Sequence, residues 1–192
     1  MAYQLRNASI LIIDDMKPML MLTASLLKIF GFTNIHMATD AEDGFRSYCK
    51  HNPDIVITDW LMEPFDGIEL TRKIRTEKIS PNKFVPVVLM TGYSHKMRVM
   101  QARDAGVTEF LVKPFRAVDL YKRIEQLVEK PRKFVDTGEF FGPDRRRKKP
   151  DGYHGPFRRE GEEIADPPSL GKSPASDLLK SLQEEAKKTS KE

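Results

Sequence analysis

The 192-residue sequence holds one cysteine and one tryptophan, and no apolar stretch approaches the roughly 20 residues that a bilayer span needs. Each shortage excludes something. A single cysteine, Cys49, permits no internal disulfide and suits a reducing cytoplasm, where it is expected to serve as a small hydrophobe on a helix. The first apolar run, Ile10 to Ile13, follows a short polar N-terminus and is stopped by two acids, so neither a signal peptide nor a membrane insertion is read there. Charge of one sign is not in large excess either. Residues 1–130 carry 18 basic and 16 acidic side chains, and residues 131–192 carry 14 and 12. Neither part reads as a strongly basic nucleic-acid domain. Glycine-rich phosphate loops, both the G-x-x-x-x-G-K-[ST] and the dinucleotide kind, are missing from the sequence, which argues against nucleotide binding by those routes.

What the first 130 residues do contain is a regular alternation. Ile10–Ile13, Asn34–Ala38, Ile55–Ile57, Phe84–Met90 and Glu109–Val112 are short, mostly apolar runs. The most apolar of them show no polar alternation, so they are expected to be strands buried on both faces, in a parallel sheet covered by helices. Between them lie helical patterns. Pro18 opens the first, with Met19, Leu22, Leu26, Leu27 and Phe30 at helical spacing before Gly31. Ala41–His51 follows, with Phe45 and Cys49 on its inner face, then Gly67–Thr76, His95–Ala105 and Ala117–Glu129. Five strands alternating with five helices predict an α/β fold, a doubly wound five-stranded parallel sheet, over residues 1–130. Beyond Pro131 the periodicity stops. Residues 131–192 are expected to be a disordered charged tail, with a possible short amphipathic helix over 176–188.

The strand ends carry the chemistry. Asp14 and Asp15 follow the first strand, Asp59 the third, Thr91 the fourth and Lys113 the fifth. In a parallel doubly wound sheet these ends share one rim. Three clustered acids repel unless a cation joins them, and their hard oxygens suit Mg²⁺. With no cysteine or histidine at these positions, zinc is not expected. A lysine and a hydroxyl facing such a metal match a phosphoryl group, and a carboxylate can accept one covalently.

Those five positions, with Lys113-Pro114-Phe115, Asp59-Trp60 and Gly67, resemble the receiver domain of two-component response regulators, most closely the single-domain chemotaxis type. The similarity runs from about Ala8 to Glu129. It implies the flavodoxin-like strand order 2-1-3-4-5. It further implies phosphorylation of Asp59 by a histidine kinase or histidine phosphotransfer protein. Asp14, Asp15, Asp59 and the carbonyl of Leu61 would hold Mg²⁺, Asp14 through water, and Lys113 would pair with the phosphoryl oxygens. Thr91 and Phe110 would be the switch residues. Such a protein is not an enzyme beyond phosphotransfer to itself and slow self-dephosphorylation, and a small magnesium phosphatase on this scaffold is disfavoured because no further acid or base is supplied. Leu61 and Tyr93 replace polar residues of the chemotaxis pattern, which predicts a longer-lived phosphoprotein, and Glu63-Pro64 displaces the usual proline.

Two surfaces and the tail complete the expectations. Met16, Met19, Leu20 and Met21 crowd the start of the first helix, with Met16 and Leu20 expected to be exposed as an adaptable docking surface. Lys96, Arg103, Phe110, Tyr121 and Lys122 mark the family's helix 4–strand 5–helix 5 output face. In the tail, Gly142-Pro143-Asp144-Arg145-Arg146 recurs as Gly155-Pro156-Phe157-Arg158-Arg159. Residues 142–159 hold seven basic and two acidic side chains, while 160–192 hold five and eight. The repeat is read as a docking motif for an acidic protein surface. Nucleic-acid binding through 142–159, gated by the receiver, is the alternative.

Overall fold

A computed structural model describes residues 8–92, 96–138, 140–144 and 163–165. Its main body is a parallel sheet of β1 (Ser9–Ile13), β2 (Asn34–Ala38), β3 (Ile55–Asp59), β4 (Val87–Thr91) and β5 (Glu109–Val112) in the order β2-β1-β3-β4-β5. The helices are α1 (Lys17–Ile29), α2 (Ala41–His51), α3 (Gly67–Thr76), α4 (Lys96–Asp104) and α5 (Ala117–Glu129). The fourth strand starts three residues later than its apolar run, because Phe84 belongs to another cluster described below.

The lack of polar alternation has the anticipated cause. Ile10 and Ile12 enter one core with Leu20, Leu27, Leu120 and Ile124, while Leu11 and Ile13 enter another with Tyr48, Leu70 and Ile74. Successive strand residues point to opposite faces, so two cores demand two apolar sets. A third cluster, Trp60, Ile68, Leu89 and Ala102, lies toward α4. Each fully buried Ile or Leu contributes about 1.5–3 kcal/mol of transfer free energy. On α2 the largest buried side chain is Tyr48, with no exposed surface; Phe45 and Cys49 are only partly buried. Leu20 is buried too, against expectation, because it sits on the inward stripe of α1; Met16, Met21 and Leu22 are the exposed ones.

The expected disorder from residue 131 onward does not hold at its start. β6 (Phe134–Asp136) pairs antiparallel with β7 (Phe141–Pro143) and with β8 (Glu163–Ala165), in a second sheet of order β7-β6-β8. The β6–β7 turn is closed by Gly138, at φ 78°, whose N–H donates to Asp136 Oδ1. Phe134 and Val135 are buried, and the rings of Phe84, Phe134 and Phe141 meet at 5.1, 5.1 and 5.5 Å. Ring contacts of this kind add about 0.5–1.5 kcal/mol each to what the burial of Phe134 and Val135 contributes. Arg132 fixes the start of this segment, donating to the carbonyls of Thr108 and Asp144. Arg75, wholly buried, donates to the carbonyls of Gly106 and Lys83 and lies 5.1 Å from the Phe134 ring. Gly142 and Pro143 of the first repeat copy are therefore buried strand residues. The second copy and the possible helix over 176–188 lie outside the described residues.

Candidate phosphoacceptor site

Strand register decides which side chains meet. Ile13 pairs with Thr58, so Asp14 stands level with Asp59 on the neighbouring strand, about 4.8 Å away in the sheet. Asp59 pairs with Met90 and Thr91 with Val112, so Thr91 and Lys113 each fall one residue further along the same rim. The backbone N–H of Lys113 donates to the Thr91 carbonyl at 2.7 Å, tying the last two strand ends together. The peptide bond Lys113-Pro114 is cis, as is Glu63-Pro64.

The loop after β3 returns tightly. Gly67 N–H donates to the Trp60 carbonyl, and a Cβ at Gly67 would lie 2.1 Å from the Asp59 carbonyl oxygen. Only glycine permits that approach. Asp66 then caps α3, accepting from the N–H groups of Ile68 and Glu69 while Glu69 accepts from Asp66. This closure holds the chain close behind Asp59.

The carboxylates of Asp14, Asp15 and Asp59 offer oxygens all within 4.8 Å of one another. Asp14 is fully buried, Asp59 is 8% exposed and Asp15 is open to solvent. Asp14 Oδ1 accepts from the Met16 N–H, and its Oδ2 receives the Lys113 ammonium at 2.9 Å. The same Nζ lies 2.9 Å from Asp59 Oδ1. One cation thus bridges two of three acids, which leaves the cluster with a net charge of two negative, two positive charges short of neutrality. A divalent ion with oxygen preference fits that deficit and that donor set.

Electrostatics sharpen the roles. Burial raises the Asp59 carboxyl pKa, Lys113 opposes the rise and Asp14 adds to it. For Lys113 burial acts to lower the pKa, but hydrogen bonds to Asp14 and Asp59 outweigh it and raise it overall. The ammonium is therefore firmly charged. Asp59 is an anion held at a desolvation cost.

The remaining predicted residues are placed as follows. Thr91 is 1% exposed at the end of β4, while Leu61 is 52% exposed. Phe110 is half-buried and packs on the cluster of Trp60, Ile68, Leu89 and Ala102. Tyr93 lies outside the described residues. On the anticipated output face, Arg103 is 3.6 Å from Asp104 and Lys122 is exposed. Tyr121 instead meets Phe30 edge to face at 5.3 Å, which joins α5 to the end of α1. The Met16 N–H, which orients Asp14, was not legible from residue types because the group is backbone.

Known proteins agree with this geometry. A family model described as the response regulator receiver domain matches residues 10–125. Chemotaxis protein CheY-3 of Vibrio cholerae serotype O1 is 33% identical over 102 residues, covering 53% of this chain and 77% of that protein. Chemotaxis protein CheY of Pseudomonas aeruginosa is 35% identical over 98 residues, covering 51% and 77%. Among solved structures, a receiver domain protein of Clostridium thermocellum is 32% identical with a TM-score of 0.56, covering 62% of this chain and 92% of that one. The chemotaxis response regulator CheY4 of V. cholerae shares the fold at 24% identity and a TM-score of 0.58, covering 62% and 98%. With the acid cluster, the bridging lysine and the strand order in place, the chain belongs to the response regulator receiver domain family.

Proposed function

We propose that Asp59 accepts a phosphoryl group from the phosphohistidine of a kinase or phosphotransfer protein, and that the phosphorylated chain signals by protein–protein contact. The observation that carries this reading is the double bridge of Lys113 to Asp14 and Asp59 beside a third acid. In the transfer the N–P bond of the donor breaks as an Oδ–P bond to Asp59 forms. Lys113 then exchanges its Asp59 contact for a phosphoryl oxygen while keeping Asp14. Thr91, at the adjoining strand end, supplies a hydroxyl to another phosphoryl oxygen. Asp14, Asp15, Asp59 and the carbonyl of Leu61 would hold Mg²⁺, which when bound neutralises charge on the phosphoryl group.

Half-burial of Phe110 against the Trp60 cluster supports a ring able to turn further inward when Thr91 moves. Beyond phosphotransfer to itself and slow self-dephosphorylation, no catalysis is assigned. Leu61, exposed and apolar two residues after Asp59, cannot orient a hydrolytic water, which favours a long-lived phosphoprotein. A cytoplasmic setting accords with this role, and among the described residues no helix is long and apolar enough to cross a membrane. Nucleic-acid binding through 142–159 is the weaker reading, because Gly142 and Pro143 are spent on the fold.

The test is incubation with Mg²⁺ and acetyl phosphate or beryllofluoride. The wild type should gain one alkali- and hydroxylamine-labile phosphoryl group, or shift conformation, and Asp59→Asn should do neither. An unresponsive wild type refutes the reading. Leu61→Asn should shorten the phosphoryl lifetime, and an unchanged lifetime refutes that role for Leu61.

A further inference from the structure

The loop between β3 and α3 begins directly after Asp59, and its side chains leave in alternate directions. Trp60, 4% exposed, enters the cluster toward α4, and Met62, 6% exposed, enters the core on the other face with Leu11 and Ile13. Leu61 between them is exposed, so the peptide joining Leu61 to Met62 hangs between two buried anchors. The ends of the loop are closed by the Gly67 N–H on the Trp60 carbonyl. Its outer limb has less to hold it. Glu63 and Pro64 are exposed, and Phe65 is the next side chain to return, half-buried against the core that Met62 enters.

The solvent side of Phe65 is covered by a cation. Lys73, in the last turn of α3, sets its Nζ 4.3 Å from the Phe65 ring centroid and 6.0 Å from that of Phe45 on α2. Glu69 and Glu77 stand one turn away on either side, and Glu69 ahead of Lys73 is the favourable order for a helical ion pair. Yet Lys73 enters no ion pair among the described residues, and Glu69 accepts from the Asp66 N–H instead. A half-buried ammonium over ring faces is attracted by their quadrupoles, the more so as water is excluded. Phe65 is thereby gripped between the core and a cation fixed to α3.

We propose that Lys73, acting through Phe65, is a positioning residue for the magnesium ion: it pins the outer limb of the loop and so presets the Leu61 carbonyl as a ligand. The inference rests on the phosphoacceptor reading, in which that carbonyl joins Asp14, Asp15 and Asp59. Asp59 is set by the strand that carries it, and Asp14 by its bonds to Met16 and Lys113. The carbonyl is set by a loop. Mg²⁺ demands near-ideal octahedral geometry, so a carbonyl on a loosened loop must be ordered as the ion binds, and that ordering subtracts from affinity.

The experiment is a Mg²⁺ titration of the full chain, followed by the fluorescence of Trp60, its one tryptophan and the neighbour of Asp59. Lys73→Met keeps the length of the side chain and removes the cation, and it should weaken Mg²⁺ binding about two- to fivefold. The sign is decisive, because loss of a positive charge acting at long range alone would tighten the binding of a cation. Lys73→Arg, whose guanidinium also rests on ring faces, should bind as the wild type does. Phe65→Leu should weaken binding to a similar degree, and adding Lys73→Met to it should cost little more, since both remove one contact. Unchanged or tighter binding by Lys73→Met, or a weakening that Lys73→Arg shares, overturns the positioning role and leaves the acid cluster a cation site. Urea unfolding without Mg²⁺ is measured alongside. A lowered midpoint with unchanged Mg²⁺ affinity assigns the clamp to stability alone and likewise overturns the proposal. A wild type whose Trp60 signal and unfolding midpoint both ignore Mg²⁺ overturns the phosphoacceptor reading, and this inference with it.

Discussion

Two cations sit at opposite ends of the sheet, and their surroundings differ in kind. Lys113, at the C-terminal rim, faces carboxylates, and the cluster it serves remains net negative. Arg75, near the start of β5, faces no carboxylate among the described residues. Its guanidinium spends three donors on the carbonyls of Gly106 and Lys83 and rests against an aromatic ring. Burial pushes it down to about 9, still above neutral pH, so it stays charged. The carbonyl of Gly106 closes the turn after α4, where the helix dipole adds negative potential. One end of the sheet is closed and satisfied. The other keeps a net negative charge, which suits it to a cation.

That contrast is broken most directly at Arg75. Arg75→Leu removes three charge-assisted hydrogen bonds and strands the buried carbonyl of Gly106 and the part-buried one of Lys83, so stability to urea should fall by about 2–4 kcal/mol. Mg²⁺ should not recover it. Chain that remains folded should still respond to beryllofluoride, because the Asp59 crevice lies at the other end. Loss of that response in folded protein would mean the two ends are coupled.

Lys113→Met is the matching change. It leaves three acids unbridged, and because the crevice is partly solvated the loss should be smaller, about 1–2 kcal/mol. Here Mg²⁺ should restore most of it, since the ion supplies the missing charge to the folded state alone. If Mg²⁺ fails to stabilise Lys113→Met more than wild type, the acid cluster is not a cation site.

Asp59→Asn should act in the opposite direction. The ionised carboxylate is held against desolvation, so its neutral isostere is expected to raise the unfolding midpoint without Mg²⁺, by up to about 1 kcal/mol. It should also weaken stabilisation by Mg²⁺. A lower midpoint would show that the Lys113 contact outweighs the burial cost.

The same contrast explains what could be foreseen. The Asp59 end was legible because each strand announces itself by an apolar run, and the residue that ends the run is necessarily at the rim. Asp14, Asp59, Thr91 and Lys113 follow from topology alone. The Arg75 end was not legible. β6 and β7 are three residues each, too short to show a period, and Phe134 and Phe141 lie among charged and turn-forming residues that read as disorder. Arg75 looked like any cation in the last turn of a helix. Its partners are backbone carbonyls, which leave no mark on residue types. Leu20 was misplaced for a simpler reason, since four crowded apolar residues around the start of a helix do not say which of them face inward.

A control away from both ends is the histidine pair at the β2 edge. His36 and His51 stack with ring centroids 3.9 Å apart and planes within 19°. Burial, then His51, then Lys50 lower the His36 pKa below its ordinary 6.5. The folded chain therefore resists a proton that the unfolded chain accepts. Stability from this source is complete above about pH 6.5 and declines as the pH falls from there toward the lowered pKa. Because His36 is mostly solvated, the effect should be the smallest of the four. The unfolding midpoint should drop between pH 7.5 and 5.5, and His36→Gln should make that drop shallower. His36→Gln should leave the Mg²⁺ response untouched, since the pair lies outside the acid cluster. An unchanged slope would remove the stacked pair as a cause, and an altered Mg²⁺ response would extend the functional end of the sheet to its β2 edge.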